Sequence, residues 1–100
     1  MINYTIARNE EKNITRHDWT LDGYTLTIIK YEDRSSHISI AAPMGAPELH
    51  VDDFREDPAV EVNWSALGSV SGDEARDYAA KIVEASDIAD TFQCIIGDMK

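Results

Sequence analysis

Apolar and polar residues alternate along the first forty positions of the chain. Ile2, Tyr4 and Ile6 fall on one face of a candidate strand, and the polar run 9–13 ends it. Period-two alternation is typical of a half-buried β-strand, because successive side chains of a strand point to opposite faces. The pattern therefore predicts that the chain begins with an antiparallel sheet.

An Asp-Gly pair separates two further β-rich runs, 14–21 and 24–32. Asp22-Gly23 favours a type I′ turn, in which both central residues take positive φ, and such a turn is typical of a two-residue hairpin. The turn predicts three facing pairs: Leu21–Tyr24, Trp19–Leu26 and His17–Ile28. These residues define the expected core face of the sheet.

The next apolar run, 36–42, places Ile38 and Ile40 two residues apart. A three-residue loop before it puts Ile40 beside Ile28 on the core face, whereas a two-residue loop pairs Ile40 with Ile29 on the other face. We prefer the three-residue loop because it keeps the apolar side chains together.

The C-terminal part of the chain changes to a helical period. Residues 43–58 form a long connection, a short strand follows at 60–64, and Ser71 and Glu74 have the spacing of a capping box. An apolar stripe then recurs at three- and four-residue steps: Ala75, Tyr78, Ala79, Ile82, Ala85, Ala89, Phe92 and Ile96. Gly97 is the expected C′ residue.

These elements predict an α+β fold, an antiparallel β-meander of four to five strands with one long C-terminal helix packed on one face. We expect one domain over 1–100, with the sheet in 2–64 and the helix in 72–96. The side chains expected to be buried are Trp19, Leu26, Ile28, Ile40, Tyr78, Ile82, Ala89 and Phe92.

Acidic residues are concentrated in the second part of the chain. The net charge is −10, with 19 Asp/Glu against 9 Lys/Arg. Residues 1–40 hold six carboxylates and five cations, and residues 41–100 hold thirteen and four, which divides the net charge into −1 and −9. Such a chain repels nucleic acid and anionic membranes, so we expect it to bind neither directly. It favours basic partners instead, and nucleic-acid-binding proteins are the commonest of these.

Few residues indicate catalysis or cofactor chemistry. Cys94 is the only cysteine and is expected to pack in the helix, and no nucleophile motif accompanies His17, His37 or His50. The acidic loop 52–57 lacks the spacing of an EF-hand. We therefore expect no enzyme activity, metal or cofactor. The absence of a signal peptide or an apolar span predicts a cytoplasmic protein.

Four carboxylates of the predicted helix share one side. Asp73, Asp77, Glu84 and Asp87 fall within an arc of about 80° opposite the apolar stripe, over about 21 Å. That length matches roughly six phosphates of one DNA strand. Together with the loop carboxylates Asp52, Asp53, Glu56 and Asp57, they predict a surface that imitates nucleic acid. The alternative is a solvated helix face whose first turn gains from the helix dipole.

A second candidate surface is apolar. The predicted register leaves Ile14, Ile29 and Tyr31 on the outer face of the sheet, and Ile88 and Ile95 off the helical stripe. Several apolar side chains together on a surface suggest a contact patch. A homodimer or another partner would account for it.

The stretch 62–79 gives a resemblance. Residues 64–71 have the pattern Trp-Ser-x-x-Gly-Ser-Val-Ser and precede the predicted amphipathic helix. This arrangement is similar to the C-terminal part of small acidic phage and prophage proteins of unknown function. In size and acidity these resemble anti-CRISPR inhibitors. The resemblance implies a non-enzymatic viral inhibitor that binds a basic surface of a host nucleic-acid-binding protein or CRISPR effector complex as a DNA mimic. The alternative is a dimeric phage accessory protein without inhibitory activity.

Overall fold

The computed structural model describes residues 2–52, 58–63 and 69–99 of the chain. Its elements are β1 (Asn3–Asn9), β2 (Ile14–Leu21), β3 (Tyr24–Lys30), β4 (Ser36–Ala41), β5 (Glu48–Val51), β6 (Val60–Asn63) and α1 (Gly72–Asp98). Strands β1–β4 form an antiparallel sheet in chain order, and β5 and β6 form a separate antiparallel pair. The predicted α+β fold with one long C-terminal helix is confirmed.

The β2–β3 hairpin has the predicted turn and register. Asp22 and Gly23 both take positive φ, 50° and 85°, and the pairs Leu21–Tyr24, Trp19–Leu26 and His17–Ile28 face each other. A Cβ at position 23 would lie 3.2 Å from the Pro43 side chain, so space as well as backbone conformation favours glycine there.

The β3–β4 connection differs from the prediction. Lys30 pairs with Ser36, so the loop has five residues, 31–35, and Ile40 faces Leu26 rather than Ile28. Ile40 remains on the core face because the shift is an even number of residues. The loop is closed by the Tyr31 backbone N–H, which donates to the Ser35 carbonyl oxygen at 3.0 Å. The Ser35 hydroxyl and the Ser35 backbone N–H both donate to Asp33 Oδ1, and these two bonds lower the pKa of Asp33.

The single predicted sheet is in fact two. Strand β5 lies within the stretch expected to be a connection, where Leu49 is buried and its neighbours Glu48 and His50 are exposed. The strand is only four residues long and follows the Pro43–Ala46 turn, so its alternation gives a weak signal. Strand β6 matches the predicted last strand, and Trp64 lies outside the described residues.

Helix α1 begins where the capping box predicts. Ser71 Oγ accepts a hydrogen bond from the Glu74 backbone N–H at 3.1 Å and donates to the Glu74 carboxylate at 3.1 Å. The helix ends two residues later than expected. Gly97 is helical rather than a C′ residue, and the backbone N–H of Met99 donates to the carbonyl oxygens of Ile95 and Ile96.

The core lies between the β3–β4 half of the sheet, β5 and the C-terminal half of α1. Its buried apolar residues are Tyr24, Leu26, Ile28, Ile38, Leu49, Ala85, Ile88, Ala89, Phe92 and Ile96. Of the eight residues predicted to be buried, Leu26, Ile28, Ala89 and Phe92 are confirmed. Trp19, Ile40, Tyr78 and Ile82 are half-buried instead.

The position of α1 along β3 explains why Tyr78 and Ile82 are less buried than predicted. Lys30 Nζ, at one end of β3, donates to the Met99 carbonyl oxygen at 3.3 Å, and at the hairpin end burial, followed by the nearby Glu84 charge, raises the pKa of Tyr24. Residues 24–30 span about 20 Å as a strand and residues 84–99 about 22 Å as a helix. Residues 72–83, about 18 Å of helix, precede the part of α1 that meets β3, and none of them is buried.

The side of α1 that meets the core differs from the predicted side by a rotation about the helix axis. Angles around this axis are counted from Asp73 at about 100° per residue. The predicted apolar stripe is centred near 160°, and the buried residues of α1 are centred near 115°. The difference of about 45° reflects Ile88, which is 3% exposed although the sequence places it off the stripe. Ala75 and Ala79, on the other border of that stripe, are exposed.

Candidate functional site

The carboxylates predicted to share one side of the helix do so, and all of them are exposed. Asp73, Asp77, Glu84 and Asp87 lie within an arc of about 80° and extend over about 21 Å of α1. The arc flanks the core rather than lying opposite it, because the buried side of the helix is turned toward Ile88. The carboxylates thus stand beside the packed body of the protein.

Asp98 extends this row, and the sequence analysis missed it. The residue is exposed, is helical and falls about 20° from Asp73 around the axis. The predicted helix ended before Gly97 and so did not include Asp98. Extending the period of 100° per residue by one turn places Asp98 on the same side as Asp73. Asp73, Asp77, Glu84, Asp87 and Asp98 are here named the acidic face, which spans about 38 Å.

The negative charge of the acidic face is partly compensated at its N-terminal end. The Arg76 guanidinium forms an ion pair with the Asp73 carboxylate, and both side chains are largely exposed. Asp73 and Glu74 also lie in the first turn, where the helix dipole favours negative charge. Within the described residues, Asp77, Glu84 and Asp87 form no ion pair. Together with Asp98, they are the exposed carboxylates of the acidic face that have no ion pair within the described residues.

Glu84 lies where the acidic face meets the core. Tyr24 is buried, and its hydroxyl donates to the Pro47 carbonyl oxygen at 2.6 Å. Burial raises the pKa of Tyr24, and the nearby Glu84 charge raises it further. The phenol is thus held neutral as a donor, and it anchors the β4–β5 connection beside the middle of the helix.

The described ends of the acidic loop do not adjoin the acidic face. The Gln93 side chain accepts a hydrogen bond from the Val60 N–H at 2.6 Å and donates to the Pro58 carbonyl oxygen at 2.8 Å. Gln93 is about 200° from Asp73 around α1, so this attachment lies on the far side of the helix from the acidic face. Asp52, next to Val51 of the same hairpin, is half-buried and not free. Asp53, Glu56 and Asp57 lie outside the described residues.

The predicted apolar patch has polar neighbours. Ile14 and Ile29 are half-buried, and Tyr31 is exposed. On the same sheet face, the Arg16 guanidinium pairs with the Asp18 carboxylate at 2.9 Å, and the Thr27 hydroxyl donates to Asp18 at 2.6 Å. Partial burial raises the pKa of Asp18, but the bonds from Arg16 and Thr27 outweigh it, and the pKa is lowered overall.

A more exposed apolar surface lies on the other face of the sheet, beside α1. Ile6 is 59% exposed and Tyr4 49%, although both share the face that carries the core. Tyr4, His17 and Trp19 have ring centroids 5.0–5.9 Å apart, and the Tyr4 hydroxyl lies 2.6 Å from His17 Nδ1. Burial and the Lys30 charge lower the pKa of His17. We name Tyr4, Ile6, His17 and Trp19 the open face.

The groups that could support catalysis or metal binding are dispersed over the described part of the chain. His17 lies on β2, His37 on β4 and His50 on β5, and Cys94 is exposed rather than packed as predicted. The described residues contain no group of three side chains able to hold a metal ion. An open pocket of about 530 Å³ lies at the β4–β5 connection beside His50.

The comparisons with known proteins give no match. No family model matches the chain, and no curated protein or solved structure is significantly similar to it. No helix among the described residues is long and apolar enough to cross a membrane. Function must therefore be inferred from the surfaces themselves.

Proposed function

We propose that the protein is a non-enzymatic inhibitor whose acidic face occupies a basic, nucleic-acid-binding surface of a partner. The observation that carries this proposal is the exposed row of Asp77, Glu84 and Asp87, which form no ion pair within the described residues. The helix fixes the backbone spacing of these carboxylates, so little backbone order has to be gained on binding.

The proposed partner is a host nucleic-acid-binding protein, and a CRISPR effector complex is the class to which the phage resemblance points. Such a complex holds nucleic acid with Lys and Arg side chains in a positively charged channel. A row of carboxylates about 38 Å long competes for those cations by the same electrostatics as phosphate. The proposed place of action is the host cytoplasm, where such complexes operate.

The test is inhibition of DNA binding by a purified CRISPR effector complex, with two variants of equal charge. Asp77→Asn/Glu84→Gln/Asp87→Asn removes three carboxylates of the acidic face. Glu11→Gln/Glu32→Gln/Glu61→Gln removes three exposed carboxylates elsewhere, so the net charge of each variant is −7 after three charges are taken from −10.

The acidic-face variant should lose most of its inhibition, because truncating a charge pair desolvated at an interface costs about 2–5 kcal/mol. The matched variant should inhibit like the parent. Raising the salt concentration should weaken the parent steeply, since exposed charges are screened beyond about 10 Å at 0.1 M. Equal inhibition by all three proteins would contradict the proposal, and loss through changes at Ile14, Ile29 and Tyr31 would assign the activity to the sheet instead.

A further inference from the structure

We infer that the β1 edge of the sheet pairs with the β1 edge of a second copy of this chain, which makes one eight-stranded antiparallel sheet. Strand β1 is the first in the order β1-β2-β3-β4, and every one of its seven residues is exposed. At the other edge, β4 contacts β5. This inference is independent of the proposed function, because the acidic face can bind a partner from a monomer or a dimer.

The hydrogen-bonding alternation of the sheet shows which backbone groups of β1 face outward. The two-residue turn closes on the Leu21–Tyr24 pair, whose backbone groups bond each other across the hairpin. Alternation then directs the backbone groups of Asn3, Thr5 and Ala7 toward β2, and those of Tyr4 and Ile6 away from it. The outward row is long, regular and available to another strand.

Native edge strands are usually protected against such pairing by charged side chains, lysine above all, by proline, by a bulge or by short length, and β1 has one charged side chain, Arg8, near its end. Strand β1 has the sequence Asn-Tyr-Thr-Ile-Ala-Arg-Asn, with neither proline nor lysine, and it pairs with β2 without interruption. Its side chains on the sheet side that carries the open face are Tyr4, Ile6 and Arg8. An unprotected edge that also presents exposed apolar side chains is a pairing site.

A second copy fits this edge in one full-length register. An antiparallel pair centred on Ile6 overlaps all seven residues, places Ile6 against Ile6 of the second copy and places Tyr4 against Arg8 of the second copy. The Arg8 guanidinium bonds to Thr15 and Asn13 and pairs with Glu10 within its own chain, so this register sets no unpaired charge against Tyr4. The register is self-complementary, so the contact closes as a two-fold dimer and does not continue into a filament.

The charge distribution permits this contact despite the net charge of −10. Arg8 is the only charged residue within β1, and most carboxylates belong to the second part of the chain. With α1 over β3 and strands about 4.8 Å apart, the two helix axes lie about 24 Å apart across the joint. Helix diameters of about 12 Å leave about 12 Å between their surfaces, beyond the Debye length of about 8 Å at physiological ionic strength.

The first test is the molar mass in solution across a concentration series, measured by light scattering and sedimentation. The parent should approach twice the chain mass as concentration rises, and Ile6→Lys should remain a monomer because two ammonium groups would meet on the axis. Val83→Lys is the matched control, since Val83 on α1 is 63% exposed against 59% for Ile6 and the substitution gives the same change of charge. That variant should dimerise like the parent.

Cross-linking tests the register. In the Cys94→Ser background, Ile6→Cys should form a disulfide dimer with diamide, because the facing Cα atoms are about 5.5 Å apart. Tyr4→Cys should not, because its two copies are about 13 Å apart along the strands. Raising the salt from a low to a physiological concentration should favour the dimer by screening like charges, the reverse of its effect on the acidic face.

Three results would overturn the inference. They are a parent that stays monomeric at every concentration, an Ile6→Lys variant that dimerises like the parent, and cross-linking that is no more efficient through Ile6→Cys than through Tyr4→Cys. Each leaves the proposed function standing, because inhibition by the acidic face is measured separately on the charge variants.

Discussion

Strands β1 and β3 carry the same alternating pattern of apolar residues but differ in how deeply these residues are buried. In β3, Leu26 and Ile28 are almost fully buried, whereas in β1, Tyr4 and Ile6 on the same sheet face are about half exposed. The difference lies in the helix. A helix about 10–12 Å in diameter covers about two strands spaced 4.8 Å apart, and this sheet has four. One helix therefore leaves half of an apolar face uncovered.

The comparison is tested most strongly by two side-chain truncations, one where the helix covers the sheet and one where it does not. Phe92→Ala should lower the free energy of unfolding by about 3–5 kcal/mol, because Phe92 is fully buried between α1 and the sheet. Ile6→Ala should change it by no more than about 0.5 kcal/mol in dilute protein. Urea unfolding measures both, and a similar loss in the two variants would show that β1 is buried after all.

The β5–β6 pair depends on the helix in a different way, through Gln93. Gln93→Ala leaves the Val60 N–H and the Pro58 carbonyl oxygen without their partner. An unsatisfied buried polar group costs about 1–3 kcal/mol, so we expect a loss of that order. Hydrogen exchange should accelerate at β6 and not at β1. Equal acceleration in both strands would indicate global rather than local destabilisation.

The N-terminal part of α1, like β1, contributes no buried residue to the core. Residues 72–83 precede the part of α1 that meets β3, so the first turn depends on its cap more than on packing against the sheet. Ser71→Ala removes the acceptor for the Glu74 N–H and should cost about 1 kcal/mol. Thermal unfolding followed by circular dichroism measures this, with Ser69→Ala as the control. An unchanged midpoint would mean that the helix starts elsewhere.

The residues show why some features were predictable from the sequence and others were not. Asp22-Gly23 and Ser71 act through their own backbone conformation or a neighbour three residues away, so the hairpin register and the helix start were predicted correctly. The burial of Ile88, the exposure of Ile6 and the position of β5 depend on how α1 is placed over the sheet. That placement arises from contacts between distant parts of the chain, which periodicity does not encode.

In the candidate site, too, local features were predictable from the sequence and long-range contacts were not. The helical period correctly grouped Asp73, Asp77, Glu84 and Asp87, because residues on one helix keep their angular order wherever the helix packs. It did not reveal that the Gln93 side of the helix, where the loop is attached, lies away from the acidic face. That relation is set by hydrogen bonds to Pro58 and Val60, more than thirty residues from Gln93.

The smallest predicted effect concerns a polar contact that joins the uncovered strand β2 to the covered strand β3. Asp18 on β2 accepts from Thr27 on β3, and its pKa is lowered in the folded protein. A lowered pKa means that folding favours the carboxylate, so its contribution is complete above the unfolded pKa of about 3.9 and is lost as the pH falls through the folded value. The parent should therefore exceed Asp18→Asn in stability at neutral pH, by less than about 1 kcal/mol because the pair is partly exposed.

This stability difference should shrink toward zero in urea unfolding as the pH falls below about 4. Thr27→Val is the control, since it removes one of the hydrogen bonds that lower the Asp18 pKa while preserving shape, so the pH-dependent difference should become smaller in that background. A difference that stays constant with pH would contradict the role given to the Asp18 charge. Asp18 would then join β2 to β3 through its hydrogen bond from Thr27 and not through its charge.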